Sequence, residues 1–204
     1  PTYGLGVLRP AGDSADMEFK AVRFYETAYA RVARGLFAGV GYQFDRHFAI
    51  RDRAAAASLP SPFRTYNGDR DLTTTTSSGV ALSVLHESRD SPAFPTRGFY
   101  ASAAAELYPR RLGSDAAWQA VRFEARAYPR LQRDGRTILA LWTYNWLTFG
   151  RAPYLDLPAV GWNRSSNTAR GYVQGRIRAP RQLYGEIELR RQFTSDGLLG
   201  GVVF

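Results

Sequence analysis

Leu183-Tyr184-Gly185-Glu186-Ile187-Glu188-Leu189-Arg190-Arg191-Gln192-Phe193 decides the fold. Successive side chains of an extended chain point to opposite sides. Leu183, Gly185, Ile187 and Leu189 therefore share one face, and Tyr184, Glu186, Glu188 and Arg190 share the other. The acidic face needs water and the apolar face needs a dry neighbour. Just upstream lies a loop of two glycines and two arginines, Arg170-Gly171-Tyr172-Val173-Gln174-Gly175-Arg176. The strand's two faces together predict a membrane strand with a wet inner face.

The same alternation recurs along the chain. Trp118 to Tyr128 sets Val121, Phe123, Ala125 and Ala127 against Arg122, Glu124, Arg126 and Tyr128. Met17 to Val32, Leu36 to Ile50, Gly79 to His86, Phe99 to Tyr108, Thr137 to Phe149 and Leu198 to Phe204 also read as strands. In Met17 to Val32, Glu26 falls on the apolar face. Thr137 to Phe149 is rich in aromatics, and Trp142, Tyr144 and Trp146 read as a lipid-facing stripe or interface girdle. About eight strands result, and no segment has the 3.6-residue period of a helix. Several runs exceed the roughly 5–6 residues common in soluble sheets.

Composition narrows the class. The chain has 204 residues and no Cys, so neither a disulfide framework nor a thiolate metal site is available. Aromatics are 14% of the residues, a composition that favours strands and membrane interfaces. No apolar run approaches the roughly 20 residues of a transmembrane helix. A transmembrane strand needs only about 10, with alternating apolarity. The mean hydropathy of −0.33 suits strands with one wet face. The net charge is +9, almost all of the positive charge being Arg. These arginines recur singly, often two residues from a Glu, which argues against nucleic acid as a partner. With Pro1 in first place and no leader peptide, the chain reads as a mature product or an excised piece.

Gly4 to Asp16 is turn-rich. The connections that follow alternate in length. Arg51–Ser78 and Gly150–Arg181 are the two longest and fall on the same side, which also holds the medium-length Pro109–Ala116. Ala33–Gly35, Glu87–Gly98, Gln132–Gly135 and Thr194–Gly197 are turns. This is the asymmetry of an outer-membrane barrel, with short periplasmic turns and longer outer loops.

Two motifs carry a family resemblance. Arg170-Gly171-Tyr172 with Gly175-Arg176 resembles the Arg-Gly-Phe/Tyr loop of the BamA/TamA outer-membrane superfamily, the bacterial surface antigen family. Arg89-Asp90-Ser91-Pro92, followed by Pro95-Thr96-Arg97-Gly98, resembles that family's Arg-Asp-x-Pro…Pro-Thr-Arg-Gly turn. The resemblance implies an antiparallel transmembrane β-barrel of sixteen strands, of which this chain holds about eight, with POTRA domains upstream. It also implies that Arg170 docks inside the barrel on an acidic wall residue, here Glu188, with a second acidic partner beyond Phe204. A complete eight-stranded barrel is the rival reading, with Phe204 as an aromatic end.

The implied function is insertion, assembly or translocation of outer-membrane proteins, without covalent chemistry or cofactor. Implied partners are outer-membrane lipid and nascent outer-membrane proteins. Alternatives are a two-partner-secretion pore, the barrel of an autotransported enzyme, or a soluble Arg-rich sheet that binds a polyanion.

The candidate residues fall into two groups. Arg170, Gly171, Tyr172, Gly175, Arg176 and Glu188 form a loop-to-barrel lock. Asp90, Pro92, Pro95, Arg97 and Gly98 form a rigid periplasmic turn. Arg122, Glu124 and Arg126, with Glu106 and Glu186, read as a charge-balanced lumen lining. Asp45 and His47 share a strand face, but the sequence offers no third metal ligand. His86-Glu87 lacks the second His of a zinc-protease helix. No Gly-x-Ser-x-Gly elbow or phosphate-binding glycine loop occurs.

Overall fold

A computed structural model describes residues 5, 16–53, 61–70, 72–162, 168–194 and 199–204. The turn-rich start up to 15 and most of the Thr194–Gly197 turn lie outside the described residues. The strands are β1 (Met17–Ala33), β2 (Leu36–Asp52), β3 (Thr74–Glu87), β4 (Phe99–Tyr108), β5 (Trp118–Ala127), β6 (Thr137–Gly150), β7 (Arg181–Gln192) and β8 (Gly200–Val203). They form one eight-stranded antiparallel sheet in chain order. Five residues, Pro62–Tyr66, form a short helix, α1.

β3 begins at Thr74, five residues before the start expected from hydropathy. Thr74 to Ser78 read as loop because they are polar. They are strand because each pairs with β2, from Thr74 opposite Phe48 to Ser78 opposite Phe44. Threonine is β-branched and suits a pleated surface. Beyond the end of β4, the other edge of this extension is covered by the β4–β5 loop. There Ser78 N donates to Ser114 Oγ at 2.9 Å, and Asp115 N donates to Thr76 O at 3.0 Å.

The core lies on the inner face of the sheet. Phe63, Tyr108, Trp118, Tyr144, Trp146, Tyr154, Leu155 and Leu157 form one buried cluster. Tyr154 to Leu157 come from the β6–β7 loop, which lies against the inner wall. Tyr108 and Trp118 stack there with centroids 3.9 Å apart and planes 3° apart. The outer face is apolar and open. Val40, Val80, Leu82, Val84, Phe123, Leu183 and Ile187 are all exposed on it. Apolar side chains point outward and polar ones inward, the pattern of a strand in lipid.

Trp142, Tyr144 and Trp146 are not a lipid-facing stripe. They lie on the inner face, since Trp142 Nε1 donates to Glu124 Oε1 at 3.0 Å and Arg126 covers the Trp142 ring at 4.9 Å. Arg122 lies over Trp146 at 5.7 Å. β6 carries large apolar residues on both faces, so its own alternation cannot say which face meets lipid. Its register with Glu124 and Glu186 decides that.

A shallow outer hollow of about 440 Å³ lies on β5–β7. Ala125, Ala127, Thr143 and Gly185 leave it open, and Phe99 and Ile187 stand at its margins.

Candidate functional site

The β6–β7 loop turns sharply where its sequence permits. Gly171 and Gly175 have φ of 84° and 76°, a left-handed backbone that glycine adopts without a Cβ penalty. Gly175 N donates to Val160 O at 2.7 Å, and Gln174 Nε2 donates to Gly161 O at 2.8 Å. These bonds fold the loop onto itself. Arg178 holds its inner part, donating to Tyr154 O at 2.7 Å and Leu157 O at 3.2 Å. Its guanidinium lies 5.0 Å from the Tyr154 ring centre and 5.3 Å from that of Trp162.

Arg170 projects from this fold to β7. Its Nη2 lies 2.8 Å from Glu188 Oε1 and 3.2 Å from Glu186 Oε1. Both carboxylates are nearly buried, while the Arg170 side chain is 50% exposed. The Phe204 ring lies under the guanidinium, 4.9 Å to its centre. Glu188 Oε2 accepts from Arg190 Nη2 at 2.6 Å. One carboxylate thus serves two guanidiniums, while Tyr184 donates to Glu186. Glu186 was assigned to the lining from sequence. Its spacing of two from Glu188 on a strand was the signal that it shares Arg170. Tyr172 is exposed, and Arg176 N closes a turn to Val173 O at 2.9 Å.

The second motif forms a self-contained turn after β3. Asp90 Oδ1 accepts from Thr96 N at 2.9 Å and from Arg97 N at 3.3 Å, and Oδ2 accepts from Thr96 Oγ1 at 2.5 Å. These bonds, Thr96's first, hold the Asp90 carboxyl down at about 2. Arg97 Nε is 4.0 Å from Asp90, at the limit of an ion pair. Pro92 O accepts from Arg89 Nη1 at 3.5 Å. Gly98 has φ of 98°, and a Cβ there would sit 2.4 Å from Ser88 O. Pro95 is buried, and its carbonyl accepts from Arg190 Nη1 at 3.5 Å. The two motifs are therefore joined through β7, from Arg170 to Glu188 to Arg190 to Pro95.

The wall opposite carries the expected charge pairs. Arg122 bonds Glu106, and Arg126 Nη2 lies 2.6 Å from Glu124 Oε1.

Higher on the inner face, Asp45 and His47 meet a third group that sequence spacing did not supply. Asp156, from the β6–β7 loop, places Oδ1 3.6 Å from His47 Nδ1. Ser77 Oγ donates to Asp156 Oδ2 at 2.6 Å, and Trp118 Nε1 donates to Ser77 Oγ at 3.2 Å. Asp45, His47 and Asp156 offer ligand atoms within 4.8 Å of one another. The donor set, however, already has its cation. Arg23 Nε is 2.8 Å from Asp45 Oδ1, and Arg23 Nη2 is 3.3 Å from His47 Nε2. A guanidinium can only donate, so His47 Nε2 is the acceptor and the ring proton sits on Nδ1, facing Asp156. Burial, then the Asp45 carboxylate, pushes Asp156 up to about 7. The cluster brings a loop carboxyl against the charged and polar side chains of the wall.

The sheet, the inward loop and the exposed apolar outer face agree with a match to the Omp85 superfamily domain over residues 14–198. The chain belongs to the Omp85 superfamily. Its fold is also that of a solved Omp85 barrel, BamA from Haemophilus ducreyi lacking POTRA domains 1–3. The TM-score is 0.58 at 16% identity, over 87% of this chain and 39% of that one. This chain thus spans about two fifths of that BamA chain. No curated protein sequence matches. Omp85 membership sets aside the soluble polyanion-binding reading, because its barrel lies in an outer membrane.

Proposed function

We propose that this Omp85 barrel works in the bacterial outer membrane to insert or assemble outer-membrane proteins. The observation that carries this reading is the contact of Arg170 with Glu186 and Glu188. A loop docked on the inner wall fills the space through which a secretion pore would pass its cargo. Work on a client then takes place at the wall and its edge strands, where backbone groups can pair with an incoming strand. Bilayer thinning beside the barrel lowers the cost of insertion. POTRA domains upstream would deliver the client. No covalent step is required.

The test uses the full-length protein reconstituted in phospholipid vesicles. A urea-unfolded outer-membrane barrel is added, and its folding is followed by heat-modifiable migration. The reading requires faster folding than in empty vesicles, and slower folding when Arg170→Ala is reconstituted. Unchanged folding rates with the wild-type protein overturn it. Release of a soluble passenger across the vesicle wall, without accelerated insertion, would assign secretion instead.

A further inference from the structure

Three loops at the outer end of the sheet enclose a cavity of about 390 Å³. Arg70 from the β2–β3 loop, Arg110 from the β4–β5 loop and Arg151 after β6 all line it. All three are exposed. Among the described residues, none of the three has a carboxylate within ion-pair distance. Asp115, the acidic residue of the lining, is tied to the β3 backbone, its Oδ2 accepting from Thr76 N at 2.7 Å. The floor is fixed by Tyr66, whose hydroxyl donates to Ala152 O at 2.7 Å. The Arg151 charge acts on that phenol, pulling down a pKa that burial pushes up. Three guanidiniums from separate loops line one cavity, and among the described residues none of them is paired with a carboxylate, so they can converge on a multivalent oxyanion.

The position selects the source of that anion. Leu107 and Phe149 are exposed on the lipid face, three and two residues before Arg110 and Arg151. At about 3.3 Å per strand residue, the guanidiniums stand no more than roughly 10 Å above the apolar belt. That is the headgroup layer of a bilayer. Arg181 adds a further cation on the same rim, its guanidinium 5.8 Å from the Phe149 ring centre.

The geometry points to a lipid site: Arg70, Arg110 and Arg151 bind the phosphate of a lipid headgroup in the outer leaflet, its acyl chains lying along Leu107 and Phe149. Arginine suits this role because its planar fork matches phosphate oxygens.

The test is made on the full-length protein folded in detergent. Bound lipid is counted by native mass spectrometry with dihexanoyl phosphatidic acid, dihexanoyl phosphatidylcholine and inorganic phosphate as probes. Phosphatidic acid is retained, and phosphatidylcholine is not. Arg70→Gln, Arg110→Gln and Arg151→Gln combined weaken retention at least about tenfold, a loss of about 1.4 kcal/mol. Arg34→Gln with Arg133→Gln, at the opposite end of the sheet, leaves it unchanged. Heat-modifiable migration reports folding, and Arg110→Gln alone replaces the triple variant if that one fails to fold. Equal retention of both lipids, or wild-type retention by the folded variant, overturns the site. Inorganic phosphate binding as tightly as the lipid overturns its assignment to the membrane.

Discussion

Arg170 Nη2 stands 2.8 Å from Glu188 Oε1, and the other oxygen of that carboxylate is taken by Arg190. Glu188 is therefore the shared member of a network, and its loss costs more than the loss of Glu186. Arg170→Ala and Glu188→Ala should each expose the loop to protease in the folded full-length protein. The coupling in a double-mutant cycle should be about 0.5–3 kcal/mol. Because the Arg170 side chain is half exposed, the lower half of that range applies. The charge swap, Arg170→Glu with Glu188→Arg, should recover part of the protection. Additivity of the two single losses would show that the pair is not coupled.

The turn after β3 depends on one carboxylate and one glycine. Gly98→Ala should destabilise it by about 1–3 kcal/mol, since alanine is strained at positive φ and its Cβ meets Ser88 O. Asp90 titrates below its ordinary value, so its contribution is complete above the unfolded value of 3.8 and is lost as pH falls through about 2. Amide exchange of Thr96 and Arg97 should rise across that window. Asp90→Asn should abolish the pH dependence, and a turn whose exchange is flat across it would contradict this role.

Asp156 has the opposite sign. Its raised value means that the proton favours the docked loop, so the stabilisation is complete below the ordinary value of 3.8 and is lost as pH rises through about 7. The groups that face it are His47 and Asp45 of β2, Arg23 of β1, Ser77 of β3 and Arg178 of its own loop. Protease protection of the β6–β7 loop should decrease over that range. Asp156→Asn should hold the loop at its low-pH protection throughout. Protection that increases with pH would refute the assignment.

The inward tryptophans can be checked directly. In a variant that keeps Trp146 alone, lipids with brominated acyl chains should quench its fluorescence poorly. That ring is buried on the inner face under Arg122. Strong quenching by brominated chains would place it in lipid.

Strand positions were legible wherever a charged face opposed an apolar one, as in Trp118–Tyr128 and Leu183–Phe193. There the period of two has a single physical meaning. The extension at Thr74–Ser78 was not legible, because its partner is β2 and nothing local records that pairing. The sidedness of Trp142, Tyr144 and Trp146 was hidden for a related reason. Leu139, Leu141 and Leu147 make the other face of β6 equally apolar. In the site, Arg170 and Glu188 could be paired through a motif. Glu186 was visible on the right face but was assigned to the wall. Asp156 could not be found, since it lies in a loop and joins Asp45 and His47 only through the tertiary fold. Arg178, buried under Tyr154 and Trp162, is of the same kind.

The outer hollow at Gly185 backs directly onto the acidic pair, for Glu186 and Trp142 border it as well as the inner pocket beside Arg170. Here the wall is little more than backbone thick. Whatever packs into the hollow is separated from a carboxylate that holds Arg170 by a single strand of backbone, so the outer surface and the loop contact are two faces of one thin partition.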